Sequence, residues 1–204
     1  MSIAIEDPVS IEQSRTKRLK GATHTAHDRL DKRIMQLEPF ADRDHYARLL
    51  NMQYVFHRDL DALFSDEQLD ALLPDLAGRR RLGLIERDFA DLGIALPVPQ
   101  NAPIFANGQA VPLGTALGWL YVIEGSNLGA AFLLKYAAKL GLDENFGARH
   151  LAGAPEGRGL HWRTFTAALD TVELTDAEEQ AAIAGAETAF RRVYSVAEEA
   201  FSVA

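Results

Sequence analysis

Apolar residues recur along the chain at spacings of three and four, which is the periodicity of an amphipathic helix. Between Ser14 and about Leu37 the repeating apolar positions are Leu19, Ala26, Leu30, Ile34 and Leu37. Pro39 would stop this helix, because the residue before a proline is disfavoured in helical conformation. A second apolar stripe follows a potential cap at Asp42 and continues to Phe64. The pattern therefore predicts two helices in the first third of the chain.

Further segments have the same helical periodicity, and none shows convincing strand alternation. They run from Leu76 to Leu92, closed by Gly93, from about Leu113 to Leu140, from Leu160 to Leu169, and from Asp176, after a cap at Thr175, to about Phe201. Residues 94–112 are rich in Pro, Asn and Gly and are predicted to form a long surface loop. We expect an all-α, multi-helix fold in one domain covering residues 1–204, with about residues 1–13 as a flexible arm.

Composition excludes several kinds of site. The 204 residues include no cysteine, which rules out disulfides, thiolate zinc sites, Fe–S clusters and a thiolate-ligated haem, and suits a reducing compartment. The formal net charge of −8 argues against general nucleic-acid binding. Positive charges nevertheless cluster at Arg15, Lys17, Arg18 and Lys20 and again at Arg79, Arg80 and Arg81. These clusters indicate either a local anion site or solvated helix faces.

The apolar segments of the chain do not indicate a membrane protein. The short apolar run at residues 3–5 is followed at once by two acidic residues, so no signal peptide is expected. The most apolar stretch, Pro112 to Leu140, contains Glu124, Asn127 and Lys135, which favours a buried central helix over a membrane span. We expect a cytoplasmic protein without membrane contact.

His27 is the leading candidate for a metal ligand, since imidazole is the best ligand type available here. It lies beside the apolar stripe of the first predicted helix. Asp31 is one turn later on the same face, where a carboxylate could fix the tautomer of a metal-bound histidine. A surface His–Asp pair would have the same spacing, and His24 is a competing ligand. The other histidines, His45, His57, His150 and His161, are interpreted as surface or supporting groups.

Gly125 and Gly129 interrupt a strongly apolar helix at a spacing of four. Each costs about 1 kcal/mol relative to alanine in a helix, so a compensating reason is expected. Either they let another helix pack closely, or they let the backbone bend over a flat ligand and leave room for a small gas at a metal. In the second case Ser126 and Asn127 would offer polar atoms or hold water near that metal. The spacing alone leaves both interpretations open.

Several motifs occur in a characteristic order along the chain. They are Arg18-Leu19-Lys20 with His27-Asp28, Gly118-Trp119-Leu120-Tyr121 with the segment Glu124 to Ala131, Phe146 to Leu151, Gly157-Arg158-Gly159, Trp162, Gly185-Ala186 and Phe190. In this order they resemble the haem (heme) oxygenase family, in particular its compact bacterial branch. The resemblance covers about residues 14–201.

The resemblance implies that haem lies between a proximal first helix and a kinked, glycine-containing distal helix. It implies His27 as the iron ligand and Asp31 as its hydrogen-bonded partner. The expected distal residues are Gly125, Ser126, Asn127 and Gly129. Lys20, Arg81 and Tyr121 match positions that contact haem propionates, with Arg79 and Arg80 as competitors of Arg81. Phe190 would help to close the pocket.

The activity that the resemblance implies is oxidative opening of haem, which is both substrate and cofactor, to biliverdin, CO and Fe²⁺. Lys20 and Tyr121 imply the IXα isomer of biliverdin. Ser126 stands where mammalian-type members carry an aspartate, so protons would move through ordered water, with Asn127, Arg149 or His150 as supports. The alternative is a haem carrier of the same fold that does not open the ring.

The expected partners are haem, O₂ and a separate electron donor. No flavin or nicotinamide fingerprint is present, so electrons would come from a reductase or ferredoxin. Positive residues, namely Lys17, Arg18, Arg80, Arg81 and Arg149, are expected to form a basic docking face for it. We expect a monomer.

Overall fold

The computed structural model describes residues 14–202, which form seven α-helices. These are α1 (Arg15–Gln36), α2 (Arg43–Leu60), α3 (Glu67–Leu72), α4 (Leu82–Leu92), α5 (Leu113–Ala137), α6 (Arg158–Thr171) and α7 (Asp176–Ser202). Within this part of the chain the only β pairing is a pair of isolated bridges at Asp143. The all-α prediction is confirmed. The arm predicted at residues 1–13 lies outside the described residues.

Helix ends follow the capping residues found in the sequence. Ser14 and Asp42 each accept a hydrogen bond from the backbone N–H three residues later, at the starts of α1 and α2. Thr175 and Glu178 form a reciprocal capping box at the start of α7. Gly93 ends α4 at a φ of 68°, the left-handed conformation that glycine adopts without strain. Local chemistry therefore fixes the starts of α1, α2 and α7 and the end of α4.

Several elements differ from the prediction. Helix α2 ends at Leu60 and α5 at Ala137, and each is continued by a 3₁₀ turn to about the expected end. The helix expected from Leu76 begins only at Leu82, because residues 77–79 form a short 3₁₀ turn. Both leucines are buried, so they continue the apolar period although they belong to separate elements. Helix α3 was missed because Leu69 is the one buried residue among its six, which leaves little periodic signal. Its start is capped by Asp66.

Helix α5 is the central helix of the fold and packs along α7. Glycines bring the two backbones together: a Cβ atom on Gly114 or Gly118 would lie 2.1 Å from a carbonyl oxygen of α7. A Cβ atom on Gly185 would lie 2.7 Å from the carbonyl oxygen of Thr115. Such distances are far below van der Waals contact. Close helix packing is thus the task of Gly114, Gly118 and Gly185.

The apolar segment around α5 behaves as a core helix. Of the described residues, only Leu113–Leu140 is long and apolar enough to cross a membrane, and 56% of its most apolar window is buried inside the protein. Glu124, which is 2% exposed, lies on its buried side. The expectation of a buried central helix agrees with this placement.

Helices α1 and α5 both pack against α7, yet their backbones barely meet. They touch through side chains at two levels. The Tyr121 hydroxyl lies close to the Thr23 side chain, and the Phe40 ring, just beyond α1, stacks on Tyr136 with centroids 5.5 Å apart. The earlier residue of one segment meets the earlier residue of the other, and the later meets the later. Helices α1 and α5 are therefore parallel. Between the two contacts, His27 on α1 and Gly129 on α5 are exposed and α7 packs on both helices, and this region is called the cleft.

Gly118→Ala should destabilise the protein by about 1–3 kcal/mol or more, because the added methyl group collides with the α7 backbone. Urea unfolding would measure the change in free energy of unfolding. Gly21→Ala is the matched control, since its Cβ would meet no atom within 4 Å, and it should stabilise α1 by up to about 1 kcal/mol. Equal stability of Gly118→Ala and the wild type would contradict the close α5–α7 packing.

Candidate active site

The α1 wall of the cleft carries His27. Its side chain is 57% exposed, and its Nδ1 atom lies 3.4 Å from an Asp31 carboxylate oxygen. Phe190 of α7 meets the imidazole edge to face, with ring centroids 5.9 Å apart. An imidazole whose Nδ1 side faces a carboxylate can present Nε2 to a metal. Partial burial raises the pKa of Asp31, and the nearby His27 opposes that rise.

The α5 wall carries Gly125 and Gly129. A Cβ atom on Gly129 would meet nothing within 4 Å, and one on Gly125 would meet only the Trp162 ring, at an ordinary 3.7 Å. Helix packing therefore requires neither glycine. Of the two interpretations of their spacing, the structure favours open space beside the backbone over close contact with another helix. A flat ligand would fit against a wall of this kind, because no side chain stands between it and the backbone.

Ser126 and Asn127 leave that wall largely to the backbone. The Ser126 hydroxyl donates to the Ile123 carbonyl of its own helix at 2.6 Å. Asn127 is 8% exposed, and its backbone carbonyl accepts a hydrogen bond from the Arg158 guanidinium at 2.7 Å. Position 126, where the resemblance would place an aspartate in mammalian-type members, thus offers a hydroxyl bonded within α5.

Lys20 and Tyr121 mark one end of the cleft. Lys20 is exposed on α1, seven residues before His27 and therefore on the same helix face. Tyr121 is 9% exposed; burial raises the pKa of its hydroxyl, and the nearby Thr23 side chain opposes that rise. The structure thus places an ammonium group on one wall and a phenol on the other.

Comparison with known proteins identifies the family. A profile of the family described as heme oxygenase matches residues 13–93 and 104–199. The chain is 46% identical over 196 residues to the heme oxygenase PigA of Pseudomonas aeruginosa, covering 96% of this chain and 98% of the relative. It is 34% identical over 161 residues to a heme oxygenase of Xanthomonas campestris pv. campestris, covering 76% and 89% of the two chains.

The fold agrees with a solved member of the same family. The NO- and CO-bound heme oxygenase from Neisseria meningitidis superposes with a TM-score of 0.86 at 40% identity, over 94% of each chain. The chain belongs to the haem oxygenase family. The resemblance inferred from the ordered motifs is thereby confirmed.

The side chains of three consecutive arginines in this haem oxygenase family member contact different partners. Arg81 is 9% exposed, and its guanidinium donates at 2.9 Å to two backbone carbonyls of the segment after α5. Arg79 is paired with Glu124 at 2.8 Å, and Arg80 is paired with Asp61 near the surface. These contacts give no support to the propionate role expected of Arg81 or of its two competitors. They also remove Arg81 from the expected basic face.

The rest of that basic face is largely neutralised. Arg18 lies 2.9 Å from Glu179, and Arg149 forms a 2.8 Å pair with Asp91. Lys17 is exposed on α1. Since three of the five expected cations have carboxylate partners and a fourth is buried, the structure does not assemble them into one docking surface.

Glu124 is the main buried charge that the sequence-based reasoning overlooked. One of its oxygens lies 2.8 Å from Arg79 and 3.5 Å from the Nε2 atom of His161, while the other has no hydrogen-bond partner. Burial raises the pKa of Glu124, and Arg79 opposes that rise. The Nδ1 atom of His161 lies 2.7 Å from Glu156. A glutamate inside an apolar helix was a usable signal, but only its tertiary partners give it meaning.

A second buried group joins α2, α4 and the turn at residues 149–151. Asp88 accepts hydrogen bonds from the backbone N–H groups of Arg149 and His150 and lies 2.7 Å from the His150 imidazole. His57 is buried close by. Burial lowers the pKa of His57 to about 3, with His150 and Arg81 adding to the effect. His57 is therefore held neutral across the physiological range.

His57 should make the protein less stable in mild acid. Its pKa is 6.5 when exposed and about 3 in the folded protein, so below 6.5 the unfolded chain binds a proton that the folded chain excludes. The free energy of unfolding should then fall by about 1.4 kcal/mol for each pH unit below 6.5. His57→Leu should remove this contribution, which urea unfolding at a series of pH values would measure. The exposed control His24→Leu should keep the wild-type slope, and an unchanged slope in His57→Leu would contradict the assignment.

Proposed function

We propose that this protein is a haem oxygenase in activity, binding haem between α1 and α5 and opening its ring to biliverdin, CO and Fe²⁺. The observation that carries the proposal is the pairing of the two walls. One wall holds an exposed histidine backed by a carboxylate, and the other holds two glycines that helix packing does not require. Family membership supports the same conclusion.

His27 would hold the haem iron, with Asp31 fixing the tautomer and orientation of the ring. When bound, haem supplies the redox and O₂ chemistry of the reaction. As a ligand, the neutral His27 imidazole would lack the electron push with which a thiolate favours O–O cleavage. Phe190 packs edge to face against the imidazole, which would restrict rotation of the His27 ring.

Gly125 and Gly129 would let the α5 backbone approach the ring and leave space for a diatomic gas. The Ser126 hydroxyl is bonded within its own helix, and Asn127 is held by Arg158. The wall therefore presents main chain rather than a carboxylic acid. Water held by this main chain, with Asn127 as a support, would supply protons on the α5 side of the cleft.

Lys20 and Tyr121 would bind the propionates at one end of the cleft, because an ammonium and a hydroxyl both donate to carboxylates. Their position sets how the ring is rotated in its plane, and rotation decides which meso carbon lies next to bound O₂. We propose biliverdin IXα as the product.

The remaining features of the proposal concern the surroundings of the enzyme. Electrons would come from a separate reductase or ferredoxin, because the sequence has no nucleotide-binding fingerprint. The protein would act as a cytoplasmic, monomeric, single-domain enzyme, in keeping with its lack of cysteine and its acidic charge.

His27→Ala should abolish the proposed activity. With one equivalent of hemin, the wild type should give a sharp Soret band that decays into broad red absorbance when ascorbate is added in air. The variant should lose both the sharp band and the decay. His24→Ala is the matched control and should keep both, since His24 is exposed and lies beside Asp28. A wild-type Soret band that survives reductant and O₂ would instead favour a haem carrier.

Replacing Lys20 by Asn and Tyr121 by Phe together should loosen the seating of haem. Each hydrogen bond to a charged group contributes about 1.5–3 kcal/mol, so other biliverdin isomers should rise to about a tenth of the product or more. Chromatography of the isomers would measure the change. Pure IXα product from the double variant would show that these residues do not set the orientation.

A further inference from the structure

Helix α5 lacks close packing between Gly125 and Gly129. Each glycine lowers the stability of a helix by about 1 kcal/mol relative to alanine, and an added Cβ atom on either would meet nothing closer than 3.7 Å. Leu128 and Gly129 are exposed. By contrast, Gly114 and Gly118 bring the first half of α5 into contact with the α7 backbone. A separate contact is therefore needed to fix the part of α5 that forms the cleft wall.

Arg158, the first residue of α6, makes such a contact. One terminal nitrogen of its guanidinium donates to the backbone carbonyl of Asn127 at 2.7 Å, and the other donates to the backbone carbonyl of Leu151. Asn127 lies on the buried side of α5, midway in sequence between the two glycines. The guanidinium therefore ties the glycine-containing turn of α5 to the segment at residues 149–152.

The segment to which Arg158 ties α5 is itself fixed. Asp88 of α4 accepts hydrogen bonds from two backbone N–H groups of this segment, at 2.8 and 3.0 Å. Arg81 donates at 2.9 Å to two of its backbone carbonyls. Leu151 lies between these contacts and is 2% exposed. Its carbonyl is therefore a fixed reference point for the position of α5.

Main-chain carbonyls balance the charge of Arg158. Within residues 14–202 this side chain forms no salt bridge, and its hydrogen bonds go to the two carbonyls. Partial burial lowers the pKa of Arg158, as expected of a cation taken out of water without a counter-ion. Hydrogen bonds from a charged donor are stronger than those between neutral groups. An arginine in this setting stabilises the positions of the carbonyls that it binds.

We propose that Arg158 is a positioning residue of the haem site, which fixes the α5 wall of the cleft through the Asn127 carbonyl and thereby sets the free space on the O₂ side of the ring. This inference rests on the proposed function. Because the wall at Gly125 and Gly129 consists of main chain, no side-chain rotation can adjust its distance from the ring. A small displacement of α5 would thus change the room left for a diatomic gas.

The haem-free protein gives the first test. Hydrogen exchange of the backbone amides of residues 125–131, read by mass spectrometry, should be faster in Arg158→Met by about tenfold or more, as expected on loss of a hydrogen bond from a charged donor. Methionine keeps most of the aliphatic stem, which lies beside Gly153. Exchange in α7 should change by a smaller factor. Arg163→Met is the matched control, because Arg163 is exposed on the same helix, and it should leave both rates unchanged.

The haem complex gives the second test, read without turnover. Carbon monoxide added to the reduced complex reports on the space around it through its infrared stretching band. The wild type should give one narrow band, whereas Arg158→Met should give a broader or a second band, because the α5 wall is no longer held at one distance. Arg158→Lys keeps the charge and one donor group, so its spectrum should lie between those two.

Three results would overturn the inference. They are a wild-type exchange rate for residues 125–131 in Arg158→Met, an acceleration that is equal in α5 and α7 and so reflects only a general loss of stability, and a wild-type carbon monoxide band. Should Arg158→Met fail to fold, Arg158→Lys is measured in its place against the same criteria. A wild-type protein that binds no haem would instead overturn the proposed function, and the exchange experiment would still decide whether Arg158 fixes α5.

Discussion

The contact between α5 and α7 is the constraint on which the rest of the site depends. Gly114, Gly118 and Gly185 let the two backbones meet without side chains between them, which holds the first half of α5 at a fixed depth in the core. Helix α1 packs on the same α7. Because both walls rest on one floor, the width of the cleft is set by α7 rather than by any direct packing of α1 on α5.

Five glycines on α5 and α7 thus perform two different tasks, and the sequence does not distinguish them. Gly114 and Gly118 have the same spacing of four as Gly125 and Gly129. The difference lies in what an added Cβ would meet, which depends on a helix more than fifty residues away. Helix boundaries were more accessible, because caps such as Asp42 act on neighbouring residues. Spacing alone singled out His27 with Asp31 and Gly125 with Gly129 as candidates, whereas the roles expected of Lys20 and Tyr121 came only from the family resemblance.

The partners of the buried charges could not be predicted from neighbouring residues in the sequence. Arg79, Arg80 and Arg81 are adjacent, and the sequence left them as an anion site or a solvated face and as competitors for one propionate contact. The structure gives each of them a separate partner. Arg79 meets Glu124, which is 45 residues away, and such tertiary pairs leave no local signature. Breaking a buried pair of this kind costs several kcal/mol, because it leaves a charge without compensation. The charge of Glu124 on α5 is therefore needed for the stability of the fold.

The middle of the cleft and its periphery would therefore have different functions. Around His27 the walls are an imidazole and bare main chain, which treat all four meso positions of a nearly symmetric ring alike. Discrimination between those positions must then come from the periphery, where the substrate itself is asymmetric. Lys20 and Tyr121 at one end of the cleft would supply that discrimination, because both can donate hydrogen bonds to the carboxylates on one edge of haem. An enzyme whose substrate is also its redox centre can select one carbon only by fixing how that substrate is seated.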